Sequence, residues 1–167
     1  ALSGGFTPTY VEPRYPKPEG YRFDGARIEG DLTLCVDPRE GPDTDWLLLD
    51  LAEQAVGILK AASPSLPVAI TGICRAAGGD AQGDGTISWE RMDGLWGRAR
   101  GTDIALDPEI TPPSWVCNMR VLTHELGHLV GLGHQPDDVP SVMHSSGCDY
   151  DLTLIDVQAL QYLYEGR

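Results

Sequence analysis

Positive charge is scarce in this chain of 167 residues. Twelve Lys and Arg stand against 25 Asp and Glu, there are only 4 histidines, and the formal charge at pH 7 is −13. Such a balance argues against a nucleic-acid partner, whose binders present a basic face, and against attachment to an anionic membrane surface. No apolar run approaches the roughly 20 residues that span a bilayer. The four cysteines, Cys35, Cys74, Cys117 and Cys148, contain no C-x-x-C pair, which disfavours a zinc ribbon. The chain opens on Ala1-Leu2-Ser3-Gly4-Gly5, without the basic start and apolar block of a secretory signal. Two readings of that opening stand: a mature fragment whose targeting and pro-segments are gone, or a chain that never carried them. Internal repeats are also missing.

What is present describes one globular domain. An apolar share of 41% and a charged share of 22% are ordinary for such a domain, and the length suffices for a real core. The acidity fits secretion, calcium binding or plain solubility. Four cysteines allow three pairings. An even count in an acidic chain points to two disulfides and an oxidising compartment; four buried free thiols in a reducing one is the alternative.

Residues 1–26, rich in Pro, Gly and Tyr, read as an extended arm on the surface or a partly ordered tail. Residues 27–37 alternate apolar and polar, as a strand does. Asp43 or Thr44 caps a helix to about Ala62, with Trp46, Leu49, Ala52, Val56 and Leu59 at helical spacing. A buried strand is expected over 66–74. "TISWERM" and "LWGRARG" read as short strands joined near Asp93-Gly94 in a hairpin, and 102–107 as another strand. A helix is expected from about Ser114 to Gly131 and a last one over 152–165. The class is α+β: a twisted mixed sheet with helices on one side.

Three of the four histidines fall within eleven residues, "HELGHLVGLGH", 124 to 134. Residues four apart on a helix differ by about 40° around its axis, so His124 and His128 face one ion together. Glu125 borders that face, placed to hold a water and take its proton rather than to bind the ion. A third ligand six residues beyond His128 is out of reach unless the helix stops. Gly131 stands where a left-handed turn is needed, and Gly133 adds freedom. His134 then completes three ligands with an open position, the arrangement of a catalytic zinc site.

This stretch resembles the metzincin metalloproteases, whose signature H-E-x-x-H-x-x-G-x-x-H precedes a methionine turn. His124, Glu125, His128, Gly131 and His134 match it, and "SVMHS" with Met143 matches the turn. "TDIALDPEI" and "LTLIDVQALQYLY" are similar to the matrixin branch. The resemblance covers about 27–165, with high specificity only at 124–143. It implies an upper lobe (27–133) with a five-stranded mixed sheet and two long helices. A small lower lobe (134–167) would follow, holding the methionine turn and the C-terminal helix, within a single catalytic domain. It implies a secreted, monomeric zinc endopeptidase with one catalytic zinc on His124, His128 and His134, and Glu125 as general base and then acid. Met143 would form an apolar floor beneath the metal. A protein or peptide substrate would lie extended against an antiparallel edge strand, "LWGRARG".

The chain departs from matrixins in several places. Their structural zinc needs upper-lobe histidines, and the only other histidine here is His144, read as a wall or surface residue. No tyrosine follows two residues after Met143; Ser145 stands there. Arg120 occupies the position that closes the bottom of the S1′ pocket in matrixins; the alternative is an exposed helical arginine. The cysteines are not a matrixin feature; of the three pairings the resemblance favours Cys35–Cys74, linking two strands that are neighbours in the family's sheet, with Cys117–Cys148, tying the start of the active-site helix to the loop after the methionine turn. Separately, Asp80, Gln82, Asp84, Gly85 and Ile87 open like an EF-hand, but position twelve is Arg91 rather than glutamate. A simpler Ca2+ site on Asp80 and Asp84, or a solvated turn, remains. Two rival functions stand beside peptidase: a zinc hydrolase of a non-peptide amide, and a non-catalytic zinc-holding protein.

Overall fold

The computed structural model describes residues 14–25, 27–41, 45–109 and 115–166. Five strands and three α-helices form an α+β fold: β1 (Leu32–Asp37), α1 (Asp45–Ala62), β2 (Val68–Ile73), β3 (Gly85–Trp89), β4 (Gly97–Arg100), β5 (Asp103–Leu106), α2 (Trp115–Leu129) and α3 (Leu154–Tyr164). The sheet order is β2-β1-β3-β5-β4. All neighbours are parallel except β4, which runs antiparallel to β5 at the edge. The mixed sheet is as expected from the sequence, and its antiparallel edge strand is as the resemblance implies.

The expected hairpin between "TISWERM" and "LWGRARG" does not form. β5 lies between these strands, pairing Ile87 with Ile104 and Trp89 with Leu106 on one side and Gly97 with Leu106 on the other. Burial decides this. Ile87, Ile104 and Leu106 are almost wholly buried, whereas β4 is half-exposed throughout and suits an edge. The tight turn sits instead at Gly101-Thr102, between paired Arg100 and Asp103. The strand expected over 27–37 begins only at Leu32; Arg27 and Glu29 form an ion pair at 3.0 Å before it.

β1 explains how two cores arise. Leu34 and Val36 enter the main core, while Cys35 between them faces the other side of the sheet, in a small cluster with Cys74 and Ala81. Two disulfides are present, Cys35–Cys74 and Cys117–Cys148, the pairs implied by the resemblance. They suit an oxidising environment. No helix is long and apolar enough to cross a membrane among the described residues. α1 packs over β1, β2 and β3, α2 over β4 and β5, and the two helices pack on each other. The helix boundaries match expectation closely, although the cap candidates Asp43 and Thr44, and Ser114, lie outside the described residues.

The described part of the N-terminal arm is more than a surface tail. Tyr21 is buried and donates its hydroxyl to Asp156 at 2.9 Å. Phe23 forms an antiparallel bridge with Leu132 and packs its ring between Tyr21 and Tyr162.

Candidate functional site

Residues 117 and 121–127 of α2 are buried, so this helix runs through the molecule rather than along its surface. His124 and His128 sit one turn apart on it, with ring centroids 4.8 Å apart. After Leu129 the chain turns. Gly131 takes φ 109°, a conformation that side chains disfavour, and the Leu132 N–H bonds back to the Gly127 carbonyl at 2.8 Å. His134 is thereby returned toward the helix. Its Nε2 lies 3.2 Å from His124 Nε2, and His128 Nε2 is also 3.2 Å from His124 Nε2. The ligand atoms all lie within 4.8 Å of one another.

The outer nitrogens settle the protonation. His124 Nδ1 donates to the Val142 carbonyl at 2.8 Å, and His128 Nδ1 donates to the Leu132 carbonyl at 3.0 Å. A carbonyl only accepts, so the ring proton of each neutral imidazole is on Nδ1. Both Nε2 atoms then carry bare lone pairs, which repel at 3.2 Å unless a cation lies between them. Burial, aided by the neighbouring imidazoles, lowers the His124 pKa to about 4 and that of His128 below its ordinary value. These rings are neutral at pH 7, the form that ligates a metal. The triad could therefore hold a metal ion, and it is the only group of three or more such side chains among the described residues.

Glu125 is buried beside the edge strand β4; burial pushes its pKa up to about 7, and the nearby Ala99 backbone N–H acts in the opposite direction. The triad and Glu125 open onto a cleft of about 820 Å3. Leu95 and Trp96, both exposed, line one wall, and Ser145, Ser146 and Gly147 line another.

Met143 is fully buried, with its Sδ packed so closely on Gly127, between the two helical histidines, that a Cβ there would overlap it. That is a packing role. His144 stays outside the triad: its ring packs on Tyr150, with Asp137 and Asp149 carboxylates at 3.8 and 3.5 Å. Arg120 neither stands free nor lines the cleft. It pairs with Asp151 at 3.0 Å and donates to the Cys148 carbonyl at 3.0 Å. It borders a separate cavity of about 230 Å3 with Met119 and Leu152. Asp84 accepts the Thr33 backbone N–H and hydroxyl, so its carboxylate tethers the start of β1, and a Ca2+ site with Asp80 gains no support.

Three residues were not singled out from the sequence. Asp24 Oδ2 lies 3.7 Å from His128 Nδ1. Asp156, fully buried, accepts from Tyr21, Ser141, Val142 and Thr153. Gln135, also buried, bonds to the arm. For Asp156 a signal existed: Thr153 three residues before it is a capping-box pattern. For the others the partners are distant in sequence, and no local pattern marks them.

No protein-family model matches this sequence, and comparison with curated proteins finds no significant relative.

Proposed function

We propose that this chain is a zinc-dependent endopeptidase of metzincin type, most like the matrixins, acting outside the cell. One observation carries the reading: two helical Nε2 lone pairs and a third histidine converge beside a buried carboxylate in an open cleft. Tetrahedral zinc with Zn–N of roughly 2.0–2.1 Å implies N···N separations of about 3.3 Å, close to the 3.2 Å between His124 Nε2 and each of its partners. The same reading divides the chain into an arm (1–26), an upper subdomain (27–133) and a lower one (134–167). The two disulfides favour secretion.

His124, His128 and His134 would hold the zinc, and among the described residues no fourth His, Cys, Asp or Glu joins them, which would leave a position open. Zinc bound there supplies Lewis acidity, lowering the pKa of a water and polarising a carbonyl. Glu125 does the proton work. Buried beside the edge strand β4, its carboxylate takes a proton from the attacking water and delivers it to the departing amine. β4 is the sheet edge, so its outward backbone groups suit an extended peptide, which would lie between Leu95-Trp96 and Ser145–Gly147.

The test is hydrolysis of casein or gelatin by the purified protein, with and without o-phenanthroline, beside Glu125→Gln, with zinc measured on each sample. Chelator-sensitive cleavage that disappears in the variant, with about one zinc per chain, is the expected result. Cleavage of small amides alone would favour the non-peptide hydrolase. Zinc with no turnover of either would favour the non-catalytic rival, and a zinc-free protein would overturn the proposal.

A further inference from the structure

His134 is the exception in its triad. His124 and His128 belong to a helix, and backbone carbonyls orient their rings. His134 comes from the chain beyond the helix and is exposed, and among the described residues nothing receives a hydrogen bond from its Nδ1. Its position therefore depends on how its backbone is held. Gln135, the next residue, is only 3% exposed. Its side-chain Oε1 accepts the Arg22 N–H at 3.1 Å, and its Nε2 donates to the Arg22 carbonyl at 2.8 Å and to the Gly133 carbonyl at 2.9 Å. Its own backbone N–H bonds to the Met143 carbonyl at 3.1 Å.

The side-chain amide thus joins the N-terminal arm to the turn carrying His134, and the backbone N–H of the same residue ties that turn to the methionine turn. The arm completes the arrangement. Gly133 donates to the Arg22 carbonyl at 3.0 Å, and Asp24 donates to the Gly131 carbonyl at 2.8 Å. The approach is so close that a Cβ on Gly133 would lie 3.1 Å from the Arg22 carbonyl oxygen. Arg22 and Asp24 then line the cleft itself.

We infer that Gln135 is a positioning residue for the third metal ligand, and that the arm strand around Arg22–Asp24 is an integral part of the metal centre. The side-chain amide holds both residues flanking His134 against the arm, while the Gln135 backbone N–H holds the turn to the methionine turn, so the imidazole is presented before any metal arrives. Losing the amide frees the turn, and the ion must then order it. This inference rests on the metal-site reading above, but it does not require peptidase activity.

The test is zinc affinity, measured by competition with a chromophoric chelator, on the whole chain. Gln135→Met keeps the length and removes all three side-chain hydrogen bonds. Gln135→Asn keeps the amide but is too short to bond the Arg22 N–H and carbonyl together, and it serves if the first variant does not fold. Leu59→Ala is the control: it truncates a buried residue of α1, a helix that gives no residue to the cleft. We expect the Gln135 variants to bind zinc about 10–100-fold more weakly, as when partners that orient a ligand are lost, with an unchanged far-ultraviolet circular dichroism spectrum. Leu59→Ala should lose thermal stability and keep wild-type affinity. Gln135 variants that melt earlier but bind zinc within about twofold of wild type would reduce the residue to a structural role and overturn the inference alone. A wild-type chain that binds no zinc would overturn the metal-site reading and the inference with it. Weakened zinc binding in a protein that cleaves no peptide would support the inference and sink only the peptidase assignment.

Discussion

Asp156 and His124 are joined through a single residue. Asp156 Oδ2 accepts the Val142 N–H at 2.8 Å, and the Val142 carbonyl accepts His124 Nδ1 at 2.8 Å. The same carboxylate takes hydrogen bonds from Tyr21, Ser141 and Thr153. A fully buried carboxylate thus organises the segment that orients a candidate metal ligand. Asp156→Asn replaces an acceptor with an NH2 group facing donors. Leaving buried donors without their acceptor costs about 1–3 kcal/mol for each group, and urea unfolding should read the loss. Tyr21→Phe, which removes one donor, should cost about 1 kcal/mol. Because the two residues touch, their effects should not add in the double variant.

Substitutions in the triad and at Glu125 beside it should separate binding from turnover. His134→Ala should lose bound metal together with activity. Glu125→Gln should keep the metal while hydrolysis falls by roughly 100-fold or more, the scale of a lost general base. Metal analysis and initial rates on the same preparations decide this; loss of metal from Glu125→Gln would assign the carboxylate a ligand role instead.

The Cys117–Cys148 disulfide spans 31 residues and ties the start of α2 to the loop that Arg120 also holds through Asp151 and the Cys148 carbonyl. Closing a loop of that length is worth about 4 kcal/mol in the chain-entropy model. Replacing both cysteines by serine should lower the unfolding free energy by that order. Arg120→Ala in the same background should then cost more than it does in the intact protein, because it removes the remaining tie. Equal costs in both backgrounds would show that the two do not share the loop.

Acid sensitivity should be measurable at Glu165. Its carboxylate accepts the Ser65 N–H at 2.8 Å and the Ser63 hydroxyl at 2.8 Å. The Ser65 N–H leads in holding its pKa below the ordinary 4.5. The folded state therefore binds the proton less readily than the unfolded chain. The stabilisation is complete above about pH 4.5 and disappears as pH falls through the lower, folded-state value. The difference in melting temperature between wild type and Glu165→Gln should be full at pH 6 and shrink as the pH is lowered through the acid range. A difference that does not shrink on acidification would show that the contact does not depend on ionisation.

Much of the candidate site was legible in the residues around 124–134 because its geometry is local. Helical periodicity alone puts His124 and His128 on one side, and Gly131 marks the turn that returns His134. The strand pairing was less legible. The Asp93-Gly94 hairpin signal was outweighed by the burial available to Ile104 and Leu106 at the inner position next to β3, a comparison between strands that no window of sequence contains.

The sequence by itself determined the candidate ligand set, the acid beside it and the helices, since each follows from spacing within one segment, and the α+β class, which follows from the order of those segments. Only the tertiary structure decided what holds the ligands. The Val142 carbonyl on the His124 ring, the Asp156 carboxylate behind Val142, and the Gln135 amide clasping Arg22 depend on contacts between segments, across as many as 135 residues between Tyr21 and Asp156. A buried polar group takes whatever partner the fold brings within about 3 Å, and that choice is made by packing rather than by neighbours along the chain.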